Sequence, residues 1–106
     1  MKKTLTKKDI ERIEKETVFS VTNNKSRNYI YFSWYTDAGE DFGFEVEKGE
    51  DLIDDIKNYC FDFDPEEHVK MWIGGPGAPD IFTLCDDAKR IEEELGKLAD
   101  VVESLR

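Results

Sequence analysis

The spacing of apolar positions changes along the chain, and each spacing predicts an element. Near the start, Ile10 and Ile13 form a thin apolar face within KKDIERIEKE. Thr6 is placed to cap that stretch, and Asp9, three residues on, completes an approximate capping box. Leu5 and Ile10 take the hydrophobic-staple positions, which predicts a short helix over 7–16. The period then falls to two. TVFSVT (17–22) is β-branched and aromatic and predicts a strand, followed by the polar loop NNKSR. YIYFSWYT (29–36) has the composition of a central strand, with Ile30, Phe32 and Trp34 on one face. Tyr29, Tyr31, Ser33 and Tyr35 take the other. Asp37-Ala38-Gly39 predicts a three-residue hairpin loop with glycine in the left-handed region. In 41–47, Phe42, Phe44 and Val46 alternate with Asp41, Gly43, Glu45 and Glu47. The three strands make an antiparallel meander with one apolar face. The other face carries tyrosines and carboxylates.

The remaining chain has a helical period. Over 50–61, Leu52, Ile53, Ile56, Tyr59 and Cys60 cluster on one side of the wheel, opposite Asp51, Asp54 and Asn58. Asp64-Pro65-Glu66-Glu67 is a helix start: Asp caps, Pro takes the first turn, and the acids meet the positive end of the helix. Val69, Trp72 and Ile73 share a face of that helix, which the Gly-Pro run 74–79 ends. From Asp80 a long helix to about 105 carries Leu84, Ala88, Ile91, Leu95, Leu98, Val102 and Leu105 at alternating spacings of four and three. That is a heptad seam, interrupted by Gly96. The flanking positions oppose a coiled-coil dimer. Asp87 and Glu94 at g, with Glu92 at e, would bring acids together in either orientation. The seam is therefore expected to dock on the chain's own sheet or helices, and the chain to be a monomer rather than a homodimer.

Charge sharpens this picture. The chain has 106 residues and a net charge of −10. Residues 1–36 carry +4, residues 37–67 carry −11 and residues 68–106 carry −3, so the middle third holds the excess. Such a polyanion is repelled by nucleic acid and by anionic membrane surfaces. No apolar run is long enough to span a membrane, and MKKTLTKKD lacks the apolar stretch of a signal peptide. Cys60 and Cys85 form no CxxC pair and are read as free thiols of a cytoplasmic protein. The length and the absence of linkers fit a single domain over 1–106.

Motifs for chemistry fail on inspection. The glycines of 74–77 lack the Lys and hydroxyl of a phosphate loop. An EF-hand starting at Asp62 would need Gly where Glu67 stands and Glu where Ile73 stands. His68 is the sole histidine, so no His pair holds zinc. It is expected to be solvated and half-packed, in a chain with little room for a catalytic pocket. No catalytic residue, cofactor or metal is assigned, and the chain is read as a non-enzyme.

The candidate surface is the acidic, tyrosine-rich one. Tyr29, Tyr31 and Tyr35 should share the outer sheet face with Glu45 and Glu47; the hairpin adds Asp37, Glu40 and Asp41, and the next helix adds Glu50, Asp51, Asp54 and Asp55. Tyrosine suits interfaces, and rows of carboxylates can imitate phosphates and draw in a basic groove. The stretches YFSWYTDAGEDFGFEV and YCFDFDPEEHVKMWIGG, with the acidic last helix, resemble a group of small acidic proteins of phages and other mobile elements of gut bacteria. The resemblance spans about 29–103 and brings no catalytic residues; the Gly-Pro segment after Trp72 is shorter here than in the group. In style alone (helix, meander, helices, strong negative charge) the chain is similar to anti-CRISPR inhibitors of RNA-guided nucleases, whose motif-reading site uses arginines.

These readings give an α+β domain. Its three-stranded meander packs one face on helices, with the last helix as main partner. The expected core is Ile30, Phe32, Trp34, Phe42, Phe44, Val46, Ile56, Trp72, Ile91, Leu95 and Leu98. The expected function is inhibition by DNA mimicry of a basic nucleic-acid-binding protein such as a CRISPR effector, with no direct contact to nucleic acid or membrane. The alternative is a protein–protein assembly module acting through the C-terminal amphipathic helix.

Overall fold

The computed structural model describes residues 3–75, 77 and 79–106. Helix α1 (Lys7–Glu16) starts in the capping box: the Thr6 hydroxyl accepts from the Asp9 N–H, and the Asp9 carboxylate accepts from the Thr6 N–H. The helix ends at Thr17, whose N–H and hydroxyl both donate to the Ile13 carbonyl. The same hydroxyl oxygen accepts from the Phe19 N–H. This local closure takes 17–19 out of the sheet, so strand β1 is Ser20–Thr22 rather than 17–22.

Strands β1, β2 (Tyr29–Tyr35) and β3 (Asp41–Glu47) form an antiparallel sheet in that order. The hairpin between β2 and β3 closes by Thr36 N–H to the Glu40 carbonyl at 2.8 Å and Gly39 N–H to the Thr36 carbonyl at 3.0 Å. Gly39 has φ +90°, the left-handed conformation that excludes most side chains. The register sets Ile30 opposite Val46, Phe32 opposite Phe44 and Trp34 opposite Phe42. All large apolar side chains of both strands therefore share the inner face.

Helix α2 (Leu52–Asp62) packs against β3, burying Leu52, Ile53, Ile56 and Cys60. Phe44 lies between two rings, stacked on Tyr59 at 3.9 Å and on Phe32 at 5.0 Å. Helix α3 (Pro65–Trp72) starts at the Asp64 cap with Pro65 in its first turn. Helix α4 (Ile81–Glu103), capped by Asp80, is the common partner of α1, α2 and α3. Its seam residues Leu84, Ala88, Ile91, Leu95, Leu98 and Val102 are all buried, so the seam is filled within the chain. The close backbone approaches to the sheet are made by α2 on β3 and α1 on β1, where the sequence pattern assigned the main place to the last helix.

Four side chains depart from expectation. Trp72 is 47% exposed and leaves the core, because α3 has only two turns and sends His68, not Trp72, to the sheet. Trp34 is half-buried, edge-on to Phe19 and beneath the Arg90 guanidinium at 5.7 Å. Asp87 and Glu94, read as flanking acids, are buried at 4% and 2% exposure. Glu94 is bound by Arg90 Nε at 3.0 Å and Lys97 Nζ at 3.1 Å, which offsets the cost of burying its charge.

Three outcomes follow from the packing. Phe44→Ala should lower unfolding free energy by about 3–5 kcal/mol in urea titration, because it empties the space between two rings. Gly96→Ala should raise it by about 0.5–1 kcal/mol, since a Cβ at this helical site meets open space. Burial pushes the Cys60 thiol up to about 12, whereas Cys85 is half-exposed. A thiol reagent at mildly alkaline pH should therefore label Cys85 alone until the chain is unfolded.

Candidate functional site

The outer face of the sheet is open. Along β3, Asp41, Gly43, Glu45 and Glu47 are all exposed, and in β2 Tyr31 and Tyr35 are 37% and 72% exposed. The register sets Tyr29 opposite Glu47, Tyr31 opposite Glu45 and Tyr35 opposite Asp41. Each tyrosine of β2 is thus paired across the strand with a carboxylate of β3. Gly43 makes this possible for Tyr31: a Cβ at Gly43 would lie 2.1 Å from the Tyr31 hydroxyl, so the ring lies across the glycine. Asp41, Glu45 and Glu47 have no ion-pair partner among the described residues. Arg27 lines a shallow hollow with Tyr29, Tyr31 and Glu45, so one end of the face is less negative than the other.

The other expected site residues lie elsewhere. Asp51 and Asp54 stand at the start of α2, where Arg106 binds both, Asp51 at 3.1 Å. The Asp54 backbone N–H and then the Arg106 guanidinium hold the Asp51 carboxyl below its ordinary range. Asp51 caps the helix and both acids tie it to Arg106, so reversing their charge would disturb the fold. Glu50 and Asp55 are exposed near them. This group sits on the helical layer, on the opposite side of the sheet from Glu45 and Glu47, because α2 covers the inner face of β3. Asp37 pairs with Arg90 at 3.0 Å beside the hairpin.

Glu40 is a correction in kind. Expected on the surface, it is 9% exposed, and its Oε2 meets His68 Nε2 at 3.1 Å. Its Oε1 is buried with no donor on it. Glu40 also faces Asp87, whose Oδ2 accepts from the Thr36 hydroxyl at 2.8 Å. Four side chains thus join the hairpin, α3 and α4. His68 is correspondingly not solvated: its side chain is 12% exposed and packed among Phe42, Phe63 and Trp72. Beside it lies a cleft of ≈ 490 Å³ between β3 and the α2–α3 corner, reached by Glu40 and His68. The chain has more room than its length suggested. Among the described residues no three His, Cys, Asp or Glu side chains gather to hold a metal ion, and no helix is long and apolar enough to cross a membrane.

Against protein-family models, curated proteins and solved structures, the chain finds no match. The site therefore rests on its geometry. Sequence reasoning missed the partnership of Glu40, His68 and Asp87, which are distant in sequence. One signal pointed to it: Asp87 directly precedes the buried seam residue Ala88.

Burial, and then the neighbouring Asp87 carboxyl, raise the Glu40 carboxyl above its ordinary 4.5, against the opposing pull of His68. A raised value means that the folded chain holds this proton more tightly than the unfolded chain. The stabilisation is complete below about pH 4.5 and is lost as pH rises through the raised value. Glu40→Gln keeps the neutral shape and removes that loss. Its stability relative to the parent chain, from urea unfolding, should improve as pH rises above about 4.5. A gap that is constant or shifts the other way contradicts the assignment.

Proposed function

We propose that this chain is a non-enzymatic binding protein that occupies a basic nucleic-acid-binding site on a partner protein, as a mimic of DNA. The observation that carries the reading is the open outer face, on which tyrosines and unpaired carboxylates stand opposite one another across β2 and β3. Successive outward residues of one strand are about 6.8 Å apart, so Glu45 and Glu47 present a regular row of negative charge. The tyrosines supply contact area that a bare acidic surface lacks. The net charge of −10 favours fast, salt-sensitive association with a cationic groove. An inhibitor of a CRISPR effector or a restriction enzyme fits this chemistry, since both read DNA through cationic sites.

The binding group is narrower than the whole acidic middle third. It is Tyr29, Tyr31, Tyr35, Asp41, Glu45 and Glu47, with Asp51 and Asp54 engaged in the fold by Arg106. The assembly alternative has little left to act with on α4, whose seam is buried; its exposed apolar side chains there are Ile81 and Phe82.

Asp41→Lys, Glu45→Lys and Glu47→Lys together should leave the chain folded, since surface changes at exposed strand positions each alter stability by roughly 0.5 kcal/mol or less. The immobilised parent chain should retain nucleic-acid-binding proteins from a bacterial lysate and release them to duplex DNA and to moderate salt. The triple variant should retain none of them. Equal retention by the folded triple variant, or retention that resists both DNA and salt, would sink the reading.

A further inference from the structure

Among the described residues, strand β3 has β2 on one side and no strand on the other. Two bonds at its ends fix which backbone groups face outward. Thr36 N–H donates to the Glu40 carbonyl, and Lys48 N–H donates to the Asn28 carbonyl. Hydrogen-bonded pairs alternate along an antiparallel ladder. Even-numbered residues of β3 therefore bond to β2. Asp41, Gly43, Glu45 and Glu47 turn their N–H and C=O groups to the free edge, and these groups have no hydrogen bond from elsewhere among the described residues.

Protein sheets guard such edges with proline, bulges, lysine or a covering segment. Within β3 there is no proline or lysine, and its register runs unbroken through seven pairs. Its only guards are carboxylates. They repel a second copy of this strand and attract a cationic one. The cleft described above opens along this same edge, reached by both Asp41 and Phe42. Its walls are apolar where Tyr59, Phe63 and Trp72 stand and acidic where Asp62 and Asp64 stand.

We propose that the free edge of β3 receives an extended segment of the partner protein as a fourth strand, with Lys or Arg on one face of that segment and apolar side chains on the other. The cationic side chains lie over the outer face against Asp41, Glu45 and Glu47. The alternate, apolar side chains enter the cleft against Tyr59, Phe63 and Trp72. Backbone bonds give the attachment, and the alternation of charge and apolarity gives the choice of segment. The inference rests on the proposed binding to a basic protein and names the structural form of that contact.

The test uses the full chain and a blocked peptide of alternating lysine and valine, about eight residues long to match β3 with its flanks. Amide exchange is followed residue by residue. In the free chain, the amides of Phe42, Phe44 and Val46 should be slow and those of Asp41, Gly43, Glu45 and Glu47 fast. Saturating peptide should slow the second set by about tenfold or more. Glu45→Pro removes an outward N–H without removing a bond to β2, and should weaken peptide binding about tenfold. Glu45→Gln, which keeps that N–H, should weaken it by less than about threefold. Absence of peptide binding, or binding without protection of the outward amides, overturns the proposal. If Glu45→Pro disturbs the fold, the exchange pattern of the parent chain still decides. Loss of lysate capture in the triple lysine variant, with no edge protection by peptide, would leave the binding role standing and remove the edge. Edge protection without any DNA-releasable capture would do the reverse.

Discussion

Phe44 carries the sheet onto the helices. It is stacked on Phe32 within the sheet and on Tyr59 of α2, so one side chain couples strand pairing to helix docking. The strict alternation of β2 and β3 follows from that contact. Once Phe44 faces inward, Phe42 and Val46 must follow, and their register partners Trp34 and Ile30 with them. A slip of one residue would bury Glu45 and expose the aromatic cluster. The polar composition of the outer face is the complement of the core and needs no separate explanation for its position. What does need explanation is that all helices cover the inner side, leaving both the outer face and one edge without a covering element.

The acids divide by what lies near them. Asp51, Asp54 and Glu103 gather around Arg106, and Glu94 is held by Arg90 and Lys97. These carboxylates use most of the cations of the last helix in fixing α2 and α4. Glu40 and Asp87 take a different solution, sharing a buried place with His68 and Thr36. All three carboxylates of β3, Asp41, Glu45 and Glu47, are left without a cation among the described residues.

The elements were legible because their signals are local. The Thr6–Asp9 box, the Asp64-Pro65 start, the Asp37-Ala38-Gly39 turn and the period of two in 41–47 each depend on residues within one turn or strand. The order of the sheet follows from the same alternation, but that alternation does not decide whether a helix covers the outer face. Illegible were the facts set by long-range contact. Thr17 has a β-branched side chain, yet its hydroxyl closes a helix. Trp72 lies on an apolar helical stripe, yet its helix is too short to bring both His68 and Trp72 inside. Glu40 is one acid among thirteen between residues 37 and 67, and only its distance from His68 and Asp87 in space separates it from the rest.

Exposure of an edge and solubility ordinarily conflict, since an unpaired strand is a template for its own copies. In β3 the conflict is resolved by the parity of the strand. The residues whose backbone faces the edge are also those whose side chains face outward, and three of those four side chains are carboxylates. Any strand that pairs there meets that charge directly across the ladder, where like charges destabilise and opposite charges stabilise. A second β3 brings three carboxylates against three carboxylates and is refused. On the edge-pairing proposal, a cationic strand would be accepted by the same groups. Tyr31, lying across Gly43, fills the one outward position without a side chain and keeps the face continuous between Asp41 and Glu45. On that proposal one set of residues performs two tasks, repelling a second copy of its own strand and selecting the charge of what joins it.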